Sequence, residues 1–159
     1  MTTIRRAEPR DAPAVTRILN ALIRNTTVTF NPVEKTEAEV VMMFLETEVF
    51  LVAEQSTTVI GFASFDPFRK GAGYAGVKEH SICLDVAARA AGTGTALLST
   101  LERIAKKQGV RHMVAGVSGE NSAGLKFHAK HGYKQVGKMA GIGQKFGRDL
   151  DLILMQKSL

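Results

Sequence analysis

The chain has 159 residues, 45% hydrophobic and 23% charged, and a globular chain of this length buries roughly two thirds of its unfolded surface, so one domain over 1–159 is expected. The longest apolar run, Val40 to Leu45, falls far short of the roughly 20 residues of a membrane span, and the start MTTIRRAEPRD has no apolar stretch of signal-peptide type; a cytoplasmic protein without membrane contact is expected. Cys83 is the only cysteine, which excludes an intramolecular disulfide and a thiolate zinc cluster.

The formal charge of +6 is uneven. Residues 1–88 carry 9 Lys/Arg against 11 Asp/Glu, net −2, and residues 89–159 carry 12 against 4, net +8. A polyanionic ligand therefore belongs to the C-terminal half. The basic residues there (among them Arg103, Lys106, Arg111, Lys126, Lys134 and Lys138) are scattered, with no dense run and no interleaved aromatics. A phosphorylated small molecule, nucleic acid and a merely solvated basic face all fit this charge.

In chain order, Asp11 is placed to cap a helix with Pro13 in its first turn and Val15, Ile18, Leu19, Leu22 and Ile23 on one stripe. Thr36 and Glu39 read as the capping box of a second helix, with the loop TTVTFNPVE between the two. Phe50 to Glu54 and Thr58 to Phe65 read as a β-hairpin, Asp66 to Gly76 as a loop, and His80 to Asp85 as a strand. Gly92 to Gln108 reads as a helix stopped by Gly109, then Val110 to Val117 as a strand. A helix opened by Asn121 and Ser122 ends at Gly132, before strands at Tyr133 to Met139 and Asp151 to Met155. The order is two helices and then β-β-β-α-β-α-β-β, an α/β fold with crossover helices on the faces of a mixed sheet.

The most specific local feature is Arg89-Ala90-Ala91-Gly92-Thr93-Gly94-Thr95, between a strand and a helix. Glycines admit close backbone approach, and free N–H groups at a helix start favour phosphate. The run lacks the G-x-G-x-x-G spacing and a Walker Lys-Ser/Thr, which argues against dinucleotide and nucleoside-triphosphate binding.

The strand Ser81-Ile82-Cys83-Leu84, followed by Arg89-x-x-Gly92-x-Gly94 and a helix, resembles the R/Q-x-x-G-x-G/A motif of the GCN5-related N-acetyltransferases, the GNAT superfamily. Further segments are similar to its phosphinothricin and methionine sulfoximine acetyltransferases: Phe68-Arg69, Tyr74, Glu79-His80-Ser81, Asn121 with His128, Gly132-Tyr133, and Lys145 to Arg148 with Asp151. The likeness spans about Ile4 to Leu154. It implies a mostly antiparallel central sheet flanked by about four helices, acetyl-CoA as co-substrate, a small amine acceptor and a homodimer, with no nucleic-acid partner.

The resemblance also implies residue roles. Acetyl transfer needs a neutral amine, an acceptor for its proton, donors to the thioester carbonyl and a fate for the thiolate. Glu79 would bind the ammonium or relay its proton, and His128 would protonate or orient near the thiolate. The pantetheine arm would lie along Ile82, Cys83, Leu84 and Val86, with Asn121 and Lys130 nearby and the pyrophosphate on Arg89 to Thr95, Ala90, Ala91 and Thr93 included. Arg69 would hold an acceptor carboxylate, with Phe30, Lys70, Tyr74, Glu79 and His80 around the acceptor. His128 and His131 are an i, i+3 pair without a third ligand, so no metal is expected. Asp149 stands where these enzymes carry an aromatic, Val77-Lys78 where they carry Thr-Val, and the chain has no Trp. These departures leave the acceptor open, and a protein N-terminus as acceptor, a non-catalytic acyl-CoA sensor and a nucleic-acid module remain as alternatives.

Overall fold

Local signals place the helices in this computed structural model, which describes residues 1–89 and 91–159. α1 (Ala12–Asn25) buries Val15, Ile18, Leu22 and Ile23 along the stripe read from the sequence. Asp11 does not cap it by side chain. Its carboxylate accepts from the Glu8 N–H at 2.8 Å and pairs with Arg5 at 2.7 and 2.8 Å, closing a 3₁₀ turn over Pro9–Asp11. α2 (Glu37–Glu46) has the expected box: Thr36 Oγ1 accepts from the Glu39 N–H at 3.2 Å, and the Glu39 carboxylate accepts from the Thr36 N–H at 2.7 Å. α3 (Thr93–Lys107) starts at Gly92 and gives way to Gly109, both at φ +80°. α4 (Ser122–Lys130) is capped by Asn121 Oδ1, which accepts from the Gly124 N–H at 2.9 Å.

The strands are β1 (Thr2–Arg6), β2 (Val49–Gln55), β3 (Thr58–Pro67), β4 (Val77–Leu84), β5 (His112–Ser118), β6 (Lys134–Lys145) and β7 (Arg148–Ser158). They form one sheet in the order β1-β2-β3-β4-β5-β7-β6, antiparallel throughout except for the parallel pair β4–β5. The α/β class, the mostly antiparallel sheet and the four helices are as expected. β1 was not, and β6 and β7 are longer than expected. They join through a two-residue turn with Phe146 at φ +54° and Gly147 at φ +74°, the left-handed pair of a type I′ hairpin.

α1 and α2 cover one face, where Val15, Ile18, Leu22 and Val40 meet Phe50, Val52 and Phe62. α3 covers the other, where Leu97, Leu98 and Leu101 meet Leu51, Phe65 and Met113; Leu125 and Phe127 of α4 pack on the same side. Each fully buried side chain of this size contributes about 1.5–3 kcal/mol of transfer free energy. This core holds the central strands rigid, but it does not hold β4 and β5 together along their length. They pair only from Val77–His80 to His112–Ala115. Beyond that, β4 stays with β3 out to Leu84 and β5 stays with β7 out to Ser118, so the sheet opens into a V.

Candidate active site

The opening presents backbone groups with no strand to satisfy them. Val77 C=O accepts from Phe68 and the Asp85 N–H donates to Ile60, so odd positions of β4 bond to β3, and Ile82 and Leu84 turn theirs toward the gap. On β5, the His112 N–H faces Gly76 and the Gly119 N–H faces Asp151, which by the same alternation turns Gly116 and Ser118 toward the gap. A cavity of about 330 Å³ lies here, lined by Ser81, Ile82, Cys83 and Ala115 to Ser118, with Val28 to Phe30, Asn121, His80 and His128 around it.

Strand alternation sorts the chemistry onto two faces. Cys83 packs with the α1/α2 core and Ile82 and Leu84 with the α3 core, so Glu79 and Ser81 share the first face and His80 the second. Much of Glu79 is exposed, yet its carboxylate leans on β5: a Cβ built on Gly116 would lie 3.1 Å from Glu79 Oε1. Partial burial raises the Glu79 pKa above its ordinary 4.5, and no cation among the described residues offsets it. Burial also pushes the Cys83 thiol up to about 12.

On the other face His80 and His128 are both buried, their Nε2 atoms 3.0 Å apart, and His128 Nδ1 lies 2.7 Å from Gly124 O. Burial lowers both imidazole pKa values. His80 thus faces α4 rather than the side of Glu79. Tyr133 is also buried, but its hydroxyl donates to Glu102 Oε1 at 2.9 Å, and Lys157 holds Glu102 Oε2 at 2.7 Å; the phenol is turned to α3, away from the gap. His131 lies 2.8 Å from Phe127 O through Nδ1 and 3.0 Å from the Thr95 hydroxyl through Nε2, tying the end of α4 to the start of α3. His128 and His131 therefore address different partners, and among the described residues no group of three His, Cys, Asp or Glu is arranged to hold a metal.

At the glycine turn, Asp85 pairs with Arg17 at 2.6 Å and accepts from the Ala87 N–H at 3.2 Å. Val86, expected beside the pantetheine arm with Ile82 and Leu84, opens a 3₁₀ turn, because β4 ends at Leu84. Arg89, Ala91, Gly92 and Thr95 are exposed, Thr93 and Gly94 are buried, and Ala90 lies outside the described residues. Gly92 needs its left-handed conformation, and a Cβ there would meet nothing within 4 Å among the described residues. Gly94 is small for a different reason: a Cβ would lie 3.2 Å from Phe127 and 3.4 Å from Leu84, so it lets α3 approach α4 and β4 rather than a ligand approach α3. The first N–H groups of α3 have no intrahelical acceptor and no side-chain cap, which suits an anion.

The remaining positions spread outward. Phe30 lines the cavity and its ring rests on Gly143, where any side chain would collide with it. Asn121 lines the cavity while capping α4. Lys130 is exposed at the end of α4. Arg69, Lys70 and Tyr74 are exposed on the loop after β3, outside the cavity lining, and among the described residues Arg69 has no ion pair. Sequence reasoning gave no role to Gly116, Ser118 or Lys145. A lone glycine inside β5 is a signal of close approach that was available. Lys145 is buried and donates to Thr26 O and Thr29 O at 2.6 and 2.8 Å, anchoring the loop that carries Phe30.

Comparison with known proteins agrees with this geometry. Residues 4–154 match the acetyltransferase (GNAT) domain. An L-methionine sulfoximine/L-methionine sulfone acetyltransferase of Pseudomonas aeruginosa is 33% identical over 99% of this chain and 94% of its own. The solved structure of an N-acetyltransferase from Staphylococcus aureus Mu50 superposes with a TM-score of 0.95 at 34% identity, covering 99% of this chain and 98% of that one. A GNAT-superfamily phosphinothricin acetyltransferase from Sinorhizobium meliloti, solved in complex with acetyl-CoA, gives 0.94 at 32% identity over 99% of this chain and 88% of that one. With the opened β4–β5 pair, the glycine-initiated α3 and this match over nearly its whole length, the chain belongs to the GNAT acetyltransferase family.

Proposed function

We propose that this protein transfers acetyl from acetyl-CoA directly to the α-amine of a small free amino acid or analogue of the methionine sulfoximine or phosphinothricin kind. The observation that carries the reading is the β4–β5 opening, which offers unpaired backbone groups on its edges and a carboxylate and an imidazole pair on opposite faces. The Pseudomonas aeruginosa and Sinorhizobium meliloti relatives are named for such acceptors. The chain's own residues fit the co-substrate: Ile82 and Leu84 accept it as an added strand, Asn121 borders the arm, and the open N-terminus of α3 with Arg89 receives the pyrophosphate.

In the reaction the amine lone pair forms the C–N bond, the C–S bond breaks, and CoA departs as the thiolate. Glu79 takes the amine proton, for which a raised pKa suits it. The Ile82 N–H donates to the carbonyl oxygen as charge develops there. Burial raises the Cys83 thiol pKa and so disfavours the thiolate that an acyl carrier needs, which supports direct transfer. The loop guanidinium of Arg69, free of an ion pair among the described residues, receives the acceptor carboxylate with Lys70 and Tyr74 at the rim. The protein works as a cytoplasmic homodimer joined through the outermost strand β6, which exposes Val136, Met139 and Ile142.

Thiol release from acetyl-CoA, measured over free amino acids, their sulfoximine and sulfone analogues, amidated acids and short peptides, tests the reading. Free acids should react, and amidated ones should show a raised KM. Preference for peptides would assign a protein N-terminus instead, and acetyl-CoA binding without turnover would assign a sensor. Light scattering at micromolar concentration should give twice the chain mass.

A further inference from the structure

We propose that His80 is a positioning residue for His128: its Nε2–H fixes the His128 ring in the Nδ1–H tautomer, and the two rings work as one neutral unit beside the opening. Gly124 O only accepts, so at 2.7 Å His128 Nδ1 carries the hydrogen. The Nε2 of a neutral His128 is then bare. It lies 3.0 Å from His80 Nε2, and two bare nitrogens at that distance repel, so the hydrogen between them belongs to His80.

The assignment leaves His80 Nδ1 bare and buried, with no hydrogen-bond partner of normal geometry; the nearby Val114 backbone favours a proton on the ring, while burial and His128 oppose it. A proton added to the unit has one vacant position, this nitrogen. Burial opposes it most strongly, and the Val114 backbone offsets only part of that. His131 on α4 opposes a charge on His128, and Glu102 on α3 favours it but is already bound by the Tyr133 hydroxyl and Lys157. Burial is the largest influence on both rings and holds both below the ordinary imidazole range. Both nitrogens of His128 are thus committed to protein groups. His128 shapes the floor of the opening and does not present an imidazolium to the sulfur, which leaves as thiolate. This last step rests on the acetyl-transfer reading; the tautomer assignment does not.

Long-range ¹⁵N–¹H spectra of the free protein test the pair directly. His128 should show the Nδ1–H tautomer and His80 the Nε2–H tautomer, both neutral down into the mildly acidic range. In thiol release, His80→Phe and His128→Phe should each lower kcat by a similar factor, up to about 10²-fold, the scale of a misplacement of about 1 Å. The double variant should lose no more than either single one, the mark of residues acting as a unit. His80→Gln keeps an N–H donor and should recover most of kcat, with the KM for acetyl-CoA unchanged. An Nε2–H His128, or single effects that multiply in the double variant, would overturn the proposal. Absence of thiol release with every acceptor would instead sink the acetyl-transfer reading and leave the spectra to decide the tautomers.

Discussion

Replacing Glu79 by Gln removes a charge and a proton acceptor while keeping the side chain's shape beside Gly116. No cation among the described residues pairs with this carboxylate, so the substitution breaks no ion pair, and its effect on the reaction is read cleanly. If Glu79 takes the amine proton, kcat falls by about 10²- to 10⁴-fold, the ordinary contribution of positioned proton transfer. If it only binds the ammonium, the loss is that of one charge-assisted hydrogen bond, about 1.5–3 kcal/mol, and appears in the acceptor KM. The stability effect runs the other way. A carboxylate whose folded pKa is raised binds more protons folded than unfolded above its ordinary 4.5, so its ionised form opposes folding and stability falls as pH rises through that window. Glu79→Gln should therefore raise Tm slightly at neutral pH while lowering activity. The assay is steady-state thiol release from acid to alkaline pH together with thermal unfolding. The wild-type rising limb in kcat should lie above the usual carboxylate range and be missing from the variant. A variant that retains most of kcat and its acceptor KM, or that melts lower than wild type, refutes the reasoning.

Tyr133→Phe should cost about 1 kcal/mol through the lost bond to Glu102, or roughly 2–4 °C in Tm, with kcat nearly unchanged, because the hydroxyl points to α3; an abolished kcat would place the phenol in the chemistry. Burial alone would raise the Asp11 pKa, but Arg5 and the Glu8 N–H outweigh it and hold it below the ordinary 3.8. Its contribution is therefore present above 3.8 and lost as pH falls through the lower folded value, and Asp11→Asn should lower neutral-pH stability and flatten the acid limb of denaturation. Gly94→Val should lower Tm and acetyl-CoA affinity together by pressing on Phe127 and Leu84, whereas Gly92→Ala meets no neighbour among the described residues and its stability loss should be about 1–2 kcal/mol, for its left-handed backbone. Calorimetric melting and titration calorimetry on both variants check the contrast.

What the sequence made legible was local. The Thr36–Glu39 box, the Asn121 cap and the glycines ending α3 and α4 act within a few residues, and each helix formed where its cap stood. β1 escaped because TTIRR has little apolar alternation and gains its place by pairing with β2, 45 to 53 residues on. The strand read from the sequence stops at Met139, short of Gly141 and Gly143 in β6. There, three residues, Ala140 to Ile142, stand opposite Asp151, whose carboxylate accepts from the Gly141 N–H at 2.8 Å, and Gly143 makes room for Phe30. Asp11 was misread as a helix cap because the competing partner, Arg5, lies on a strand that had not been recognised. The site was legible as a motif but not as an arrangement. His80 and His128 are 48 positions apart, and only folding could show that their rings meet beside the opening.

Acetyl-CoA is proposed to lie in the opening between β4 and β5, and amide hydrogen exchange reads that place residue by residue. The Ile82 and Leu84 N–H groups face no strand partner and should exchange fast in the free protein, then become strongly protected when acetyl-CoA is added, together with the first amides of α3. If those amides stay fast while protection develops elsewhere, such as over the basic surface of Arg103, Lys106 and Lys107, acetyl-CoA does not lie in the opening and the mechanism built there is wrong.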